Sequence, residues 1–378
     1  MEITVDQMYQ IENKGHDMGF LKKFMMENAG AAAVRRLITN FENISSKNIL
    51  IFVGLGNNGG DGLVMARHLA GYGSNVTVML LGDPEKIKTE ESNWNWSILE
   101  KMPSVKLLSG NSLDFNFKPD IVIDGILGTG ISGEIREPYA SAINFINSTD
   151  CYKFAVDVPS GLDPQTGNTA NIFTKCDMTV TFHKMKEGIP KRKDLTGELY
   201  AEKIGSVDSK NIIIFVGMGN NGGDGQVMAR HLAGHNANVT VVLLGTPDKI
   251  KTEESSWNWS LLEKMPSVKL ITGNSTNFDF KPDIIIDGIL GTGIKGDIRE
   301  PYASAINFIN QTDCYKFAVD VPSGMDPQTG ETALLFTKCD MTVTFHKMKQ
   351  GIPKRKDLTG ELYAEKIGIP VEAEEGIL

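Results

Sequence analysis

The hydrophobic positions along the chain alternate between short apolar runs and longer stretches with helical spacing. Residues 49–53 form a continuous apolar run, which is typical of a strand covered on both faces. Residues 63–70 and 89–102 have helical spacing, and a second strand-like run lies between them at 76–81. The remaining predicted strands are 105–108, 121–123, 154–158, 178–182 and 199–204, with a helix at 139–146. This alternation predicts a Rossmann-like α/β fold with three αβα layers and a mainly parallel sheet.

The whole pattern occurs twice. The sequence GLGNNGGD at 54–61 recurs as GMGNNGGD at 217–224, an offset of 163 residues (217 − 54). This offset is far longer than the roughly 20–50 residues of a solenoid repeat, so it indicates a duplicated domain. We predict a complete domain at 1–205 and a second copy at 210–378 that lacks the leading segment, since residues 1–46 occur once.

The leading segment is predicted to form two helices. Thr4 and Gln7 have the spacing of a capping box, and Gly19 separates the two helical patterns. The apolar face of this segment should cover part of the sheet. The second copy should therefore expose an apolar patch. We expect the second copy to be less active or less stable than the first, or its patch to be covered when the two copies pair or a homodimer forms.

Composition and charge narrow the possible partners. The net charge of −9 weighs against a nucleic-acid partner, because phosphate binding needs a basic surface. A local basic cluster at 184–193 is expected to be a solvated loop. No apolar run approaches the ~20 residues of a membrane helix, and the first residues do not resemble a signal peptide. The four cysteines form no C-x-x-C pair, which favours reduced thiols in a cytoplasmic protein. The tryptophans and methionines are expected in the core.

The first polar motif is the glycine-rich stretch 54–62, between the first predicted strand and its helix. Its glycines permit close backbone approach to a ligand, and the following helix start offers free N–H groups to a phosphate. The motif formally matches G-x-G-x-x-G, yet strand two ends Leu80-Leu81-Gly82 instead of on an acid. A nicotinamide-dependent dehydrogenase is therefore disfavoured.

Two further motifs follow later strands. Asp124 is followed by a glycine-rich loop, whose backbone N–H groups can bind an anion, although Asp124 could also simply cap a turn. Asp157 precedes Pro159-Ser160-Gly161, and an acid at a strand end can serve as a general acid or base. Ser160 is not in a G-x-S-x-G elbow, which excludes an ordinary serine hydrolase motif.

Together these motifs resemble the YjeF N-terminal domain family, with its G-x-G-N-N-G-G-D-G, D-x-x-x-G-T-G and D-x-P-S-G signatures. The segments 26–30 and 186–189 also resemble family motifs. The resemblance implies an isomerase, an NAD(P)H-hydrate epimerase that acts on hydrated NADH or NADPH and binds a potassium ion. Asp157 and its counterpart Asp320 are then the expected acid–base residues, with Asp157 protonating the departing hydroxyl group and helping water to return.

The resemblance also implies the residues that bind the ligands. The expected potassium ligands are Asn58, Asp124 and Ser160, with Asn221, Asp287 and Ser323 in the second copy. The expected nucleotide-binding residues of the first copy are Asn57, Asn58, Gly59, Gly60, Asp61, Gly128, Thr129, Gly130, Ile131, Ser132, Gly133 and Glu134. Those of the second copy are Asn220, Asn221, Gly222, Gly223, Asp224, Gly291, Thr292, Gly293, Ile294, Lys295, Gly296 and Asp297. A non-catalytic scaffold of the same fold is the main alternative, since fold alone does not fix function.

Overall fold

The computed structural model describes residues 2–130, 133–201, 209–291 and 297–377. It contains two compact units. Unit 1 comprises Met1–Glu202 and Gly368–Leu378, and unit 2 comprises Lys203–Ile367. The copy boundaries at 205 and 210 stay a prediction.

Unit 1 is a seven-stranded parallel sheet between helices. In chain order its elements are α1 (Val5–Asp17), α2 (Lys22–Ile38), β1 (Asn48–Val53), α3 (Asn57–Gly71), β2 (Asn75–Leu80), α4 (Glu90–Leu99), β3 (Val105–Ser109), β4 (Ile121–Gly125), α5 (Tyr139–Ser148), β5 (Tyr152–Val156), β6 (Met178–Thr181), α6 (Lys193–Thr196) and β7 (Glu198–Ala201). The strand order is β3-β2-β1-β4-β5-β6-β7, and every pairing is parallel. This confirms the predicted Rossmann-like fold.

Unit 2 repeats the sheet without the leading helices. Its elements are β8 (Asn211–Val216), α7 (Asn220–Gly234), β9 (Asn238–Leu243), α8 (Glu253–Leu262), β10 (Val268–Thr272), β11 (Ile284–Gly288), α9 (Tyr302–Gln311), β12 (Tyr315–Val319), β13 (Met341–Phe345), α10 (Lys356–Thr359) and β14 (Glu361–Glu365). The order β10-β9-β8-β11-β12-β13-β14 matches that of unit 1. The predicted duplication of the fold is confirmed.

The continuous apolar run in β1 is explained by burial on both faces of the sheet. Ile49, Ile51 and Val53 point into the cluster that includes α2 and α3, whereas Leu50 and Phe52 point into the cluster beneath α5. Alternate residues of a strand face opposite sides, so a strand covered on both faces is mostly apolar.

The leading segment forms the two predicted helices. Thr4 and Gln7 make the reciprocal capping-box hydrogen bonds, and Gly19 lies between α1 and α2 with φ 105°. Helix α2 packs closely on α3, because a Cβ atom at Gly30 would lie 2.5 Å from the Val64 side chain. Glycine in the 26–30 motif is therefore a packing requirement in this unit.

Beside this contact, Glu27 of α2 binds two basic side chains of α3. The Glu27 carboxylate pairs with Arg67, and its Oε1 atom shares a 2.8 Å hydrogen bond with His68 Nε2. Arg67 also donates a hydrogen bond to the Gly368 carbonyl group. Burial would raise the pKa of Glu27, but hydrogen bonds and charge from His68 and Arg67 hold that pKa below its usual value. Unit 2 has no α2, and burial lowers the pKa of Arg230, the counterpart of Arg67, to about 10.

Three local expectations were wrong. The 57–61 motif is the first part of α3, capped at Gly56, and not a turn before the helix. Strand β5 ends at Val156, since Asp157 has a left-handed backbone with φ 62°. Trp94 is 43% exposed and lies outside the core. Among the described helices, none is both long and apolar enough to cross a membrane.

Candidate functional site

The predicted motifs of unit 1 meet at the carboxyl edge of the sheet. Strands β1 and β4 are neighbours where the strand order reverses, which is where open α/β sheets form a ligand crevice. The Gly54 N–H donates to the Gly125 carbonyl group at 3.1 Å. A Cβ atom at Gly54 would lie 2.0 Å from the Ile126 oxygen, so only glycine allows the two motifs to approach this closely.

The first turn of α3 presents its N-terminus at this edge. A Cβ atom at Gly59 would lie 2.0 Å from the Gly54 oxygen, which shows how tightly the backbone is folded here. The first N–H groups of a helix have no partner within the helix, and they carry its positive dipole end. This arrangement suits a phosphate group.

Asn58 lies in this first turn of α3, and its side-chain amide is unusual in its hydrogen bonding. The residue is buried, and within the described chain neither its side-chain oxygen nor its nitrogen makes a hydrogen bond. Gly128 lies against it, because a Cβ atom there would be 3.2 Å from the Asn58 Cβ atom. Buried amides are normally hydrogen-bonded, so Asn58 is suited to a ligand or an ion.

Asp124 is fully buried and accepts four hydrogen bonds. Ser160 donates from its hydroxyl at 2.6 Å and from its N–H at 2.8 Å. The Thr174 hydroxyl donates at 2.5 Å and the Ile126 N–H at 3.2 Å. Burial raises the pKa of Asp124, and these hydrogen bonds oppose the rise. The structure thus brings Asp124 and Ser160 together, and it adds Thr174, which the sequence motifs did not identify.

The oxygen-bearing side chains of this group are of the type that suits a hard cation. The Asp124 carboxylate is buried, and the four hydrogen bonds that hold it come from neutral groups, so a nearby cation would offset its charge. The Leu127 N–H donates to the Ser160 hydroxyl at 2.9 Å, which places Ser160 next to the Gly128–Asn58 contact. Carboxylate, hydroxyl and amide oxygens suit hard cations.

Asp157 is held by a lysine that is fully buried. Lys186 donates to Asp157 Oδ1 at 2.5 Å, and the same oxygen accepts from the Thr181 hydroxyl at 2.8 Å and the Phe182 N–H at 3.1 Å. The expectation that Lys186 belongs to a solvated basic loop is therefore wrong: its ammonium group pairs with a carboxylate inside the protein. The sequence signal was its position in the 186–189 motif.

The backbone at Asp157 explains where its carboxylate points. Left-handed φ values are uncommon outside glycine, and they cluster at functional sites where the surrounding structure enforces them. The Asp157 N–H remains bonded to the Val180 oxygen at 2.9 Å, so the turn is anchored to β6. All three donors converge on Oδ1. Among the described residues, the donors that the structure places on this carboxylate therefore orient it through Oδ1.

In unit 1, α1 lies over this site. The Ile3 N–H donates to the Met185 carbonyl group at 2.9 Å, and Tyr9 shares a 2.7 Å hydrogen bond with Thr129 of the glycine loop. Glu12, one helical turn after Met8 and Tyr9, lies on the same side of α1. Burial raises the pKa of Glu12, and the charge of Asp157 raises it further.

Asp61, near the start of α3, belongs to the same group of charges. Burial raises its pKa well above the usual value, and the charges of Asp157 and Glu12 add to the rise. The charges of Asp61 and Asp157 therefore interact.

Unit 2 reproduces most of this geometry. Asp320 has φ 63° and pairs with Lys349, and Asp287 accepts from the Ser323 hydroxyl at 2.6 Å. Asn221 is again buried without a hydrogen bond within the described chain. Burial and the charge of Asp320 raise the pKa of Asp224, the counterpart of Asp61, to about 6.

Some predicted nucleotide-binding residues cannot be placed. The following lie outside the described residues: Ile131, Ser132, Thr292, Gly293, Ile294, Lys295 and Gly296. The nearby residues Gly128 and Gly291 each lie against the matching asparagine, Asn58 or Asn221.

The contribution of Glu12 can be measured directly. We expect Glu12→Gln to lower the pKa of Asp61, because it removes a negative charge that opposes ionisation of Asp61. The pKa of Asp224 should not change. Carboxyl-carbon NMR titration of the whole chain would measure both groups, and an unchanged Asp61 would show that α1 does not influence the site.

Comparison with known proteins gives a consistent result. The sequence model of the family described as YjeF-related protein N-terminus matches residues 22–188 and again 195–351. An NAD(P)H-hydrate epimerase of Nitrosopumilus maritimus is 85% identical over 205 residues, which is 54% of this chain and 95% of that protein. One from Cenarchaeum symbiosum is 66% identical over 205 residues, again 54% and 95%. The bifunctional NAD(P)H-hydrate repair enzyme Nnr of Methanothermobacter thermautotrophicus is 43% identical over 198 residues, 50% of this chain and 38% of that protein.

Proposed function

This chain belongs to the YjeF-related protein N-terminus family, and from that premise we propose that it is an NAD(P)H-hydrate epimerase, which interconverts the R and S epimers of hydrated NADH and NADPH. The observation that carries the proposal is the arrangement of an Asp157–Lys186 pair at the same sheet edge as a helix start suited to phosphate. The names of the two relatives with 85% and 66% identity support the same activity.

The proposed substrate has a phosphate-bearing part and a reacting ring. The start of α3 and the glycine loop after β4 would bind the phosphates, through backbone N–H groups and the helix dipole. The nicotinamide ring would then lie over Asp157, whose orientation is fixed by Lys186, Thr181 and Phe182. Fixing the carboxylate in advance favours proton transfer, because the groups do not have to reorient during the reaction.

The chemistry requires one carboxyl group that can give and take a proton. In the proposed cycle Asp157 gives a proton to the ring hydroxyl, the C–O bond breaks, and water leaves. The lone pair of the ring nitrogen forms the C=N bond of an iminium. Water then adds to either face of that carbon and returns a proton to Asp157, so that protons and electrons balance. Asp61, whose pKa is raised by burial, would keep its proton to higher pH and exchange it with the site.

We further propose that potassium binds at Asn58, Asp124 and Ser160 in unit 1, and at Asn221, Asp287 and Ser323 in unit 2. The bound ion would supply positive charge near the phosphate-binding loop. The unpartnered Asn58 amide and the buried Asp124 carboxylate support this assignment.

Replacing Asn58 and Asn221 together by leucine should raise the potassium concentration needed for half-maximal rate by about tenfold, the size of one good ligand contact. The measurement is epimerisation rate against potassium at constant ionic strength. As a matched control, Asn95→Leu with Asn258→Leu changes buried asparagines on α4 and α8. Equal potassium dependence in both pairs of variants would contradict the assignment.

The function itself is tested by supplying one hydrate epimer and following the other by chiral separation. An epimerase brings the mixture to the same equilibrium from either side, and it does so without change in the nicotinamide redox state. Lack of interconversion by the folded chain would leave the scaffold alternative, and hydride transfer would indicate a dehydrogenase.

We also propose a cytoplasmic location. The cysteines support it: in the described chain, Cys151, Cys176, Cys314 and Cys339 all carry free thiols. Such thiols are usual where the compartment is reducing.

A further inference from the structure

We propose that Gln165 is a positioning residue that holds the start of α1 against the segment carrying Lys186, and that this contact keeps water away from the Asp157–Lys186 pair. The Gln165 side chain bonds to both sides. Its oxygen accepts from the Val5 N–H at 2.9 Å, and its amide nitrogen donates to the Glu187 carboxylate at 2.7 Å. Glu187 directly follows Lys186, so one side chain joins the helix to the segment that holds the acid–base pair.

The Val5 N–H needs a partner of this kind. Val5 is the first residue of α1, and the first N–H groups of a helix have no partner within the helix. The capping box of Thr4 and Gln7 satisfies the N–H groups of those two residues only. The Val5 N–H is therefore bonded outside the helix, to Gln165.

Two further contacts fix the parts that Gln165 joins. The Gln165 N–H donates to the Asp163 carboxylate at 2.8 Å, which holds the backbone of Gln165 in its turn. Ile3 forms a parallel bridge with Lys186, and the Ile3 N–H donates to the Met185 carbonyl group at 2.9 Å. The chain thus enters α1 directly beside the backbone of the lysine of the acid–base pair.

Unit 2 contains the same turn without the leading helix. Gln328, the counterpart of Gln165 (165 + 163), donates its N–H to the Asp326 carboxylate at 2.7 Å, but its side chain is exposed. The position of Glu187 is taken by Gln350 (187 + 163), which is also exposed. The turn therefore forms without α1, and Gln328 provides a matched control for Gln165.

The burial of the acid–base lysine differs between the units in the same way. The Lys186 side chain is fully buried, whereas that of its counterpart Lys349 is 25% exposed. Opposite charges attract more strongly where water is excluded, so a covered lysine holds its carboxylate more firmly. This inference rests on the proposed function in one respect: the pair is taken to carry the chemistry. Loosening of α1 should therefore lower the kcat of unit 1, with little change in KM.

The experiment compares Gln165→Met with Gln328→Met in the full chain. Methionine keeps the length of glutamine but lacks its amide group. In Gln165→Met, the backbone amides of α1 should exchange about tenfold faster, as expected for the loss of one or two modest hydrogen bonds. An amine-reactive acylating reagent should modify Lys186 about tenfold faster for the same reason. Gln328→Met should change neither rate.

Val5→Pro tests the same hydrogen bond from the other side. Proline lacks the N–H and is favoured at the first position of a helix, and Thr4 before it already has an extended backbone, as proline requires. This variant should match Gln165→Met in both rates. Combining the two changes should add little, because both remove the same hydrogen bond.

Turnover is measured in chains that also carry Asp320→Asn, so that it reports unit 1. Gln165→Met should lower kcat about threefold and change KM less than about twofold. If the parent chain does not epimerise hydrates but exchange and Lys186 modification still accelerate, the function is wrong and the role of Gln165 stands. Unchanged exchange and modification, an unchanged kcat in an active chain, or equal effects of Gln328→Met would overturn the role of Gln165.

Discussion

Replacing Asp157 and Asp320 together by asparagine is expected to slow epimerisation by about 10²–10⁴-fold, the usual contribution of a positioned acid–base group. Asparagine keeps the size of the side chain and one oxygen, but it cannot give or take the proton. Lys186 and Lys349 would then lose their carboxylate partners. Because a buried ammonium without a partner is costly, thermal unfolding of the variant must be measured beside its rate.

A matched control is available at the opposite edge of the same strands. Asp177 accepts from the Lys153 N–H at 2.8 Å, and Asp340 accepts from the Lys316 N–H at 2.7 Å. Asp177→Asn with Asp340→Asn makes the same chemical change in both units, far from the carboxyl edge, and should retain normal kcat. Full activity of the Asp157 and Asp320 double variant would exclude these aspartates as the acid–base residues.

The strands were predictable because they are covered on both faces. Such a strand is mostly apolar, as β1 is from Ile49 to Val53, so it can be recognised from the sequence without knowing its neighbours. The sequence suggested that Asp124 and Ser160 act together only through the family resemblance. Topology explains why they meet, since residues at the carboxyl ends of adjacent parallel strands lie at one edge.

Other parts of the site have no such local signal. Thr174 reaches Asp124 from a loop without regular structure, and a single threonine there has no distinguishing pattern. Lys186 was misinterpreted because a basic cluster is usually solvated, and only tertiary structure shows that its ammonium group meets Asp157. Glu12 has ordinary helical spacing, and its effect on the site depends on where α1 packs.

The second large expected effect is a difference in activity between the two units, because helices α1 and α2 belong to unit 1. In unit 1, Val64, Met65 and Leu69 of α3 are fully buried in a unit that includes α2. Their counterparts in α7 include Met228 and Leu232, which are only partly buried. Fully burying one such side chain contributes about 1.5–3 kcal/mol, so α7 should be held less firmly than α3.

Among the described residues of unit 2, none supplies the groups that α1 supplies in unit 1. No residue of unit 2 corresponds to Tyr9, which bonds to Thr129, or to Glu12, which acts on Asp61. We therefore expect Asp157→Asn alone to remove at least roughly 90% of the activity, which corresponds to a transition-state difference of about 1.4 kcal/mol between the units. Asp320→Asn alone should have little effect.

Separate kinetic measurements on the two single variants would test this asymmetry, with the double variant giving the background rate. Hydrogen exchange would test the physical reason independently, because the backbone amides of α7 should exchange faster than those of α3 if α7 is less firmly held. Equal losses from Asp157→Asn and Asp320→Asn would mean that the sheet and its loops suffice for catalysis, and that α1 and α2 serve only the stability of unit 1. Unequal losses with equal exchange would instead assign the difference to the groups that α1 places over the site, Glu12 above all.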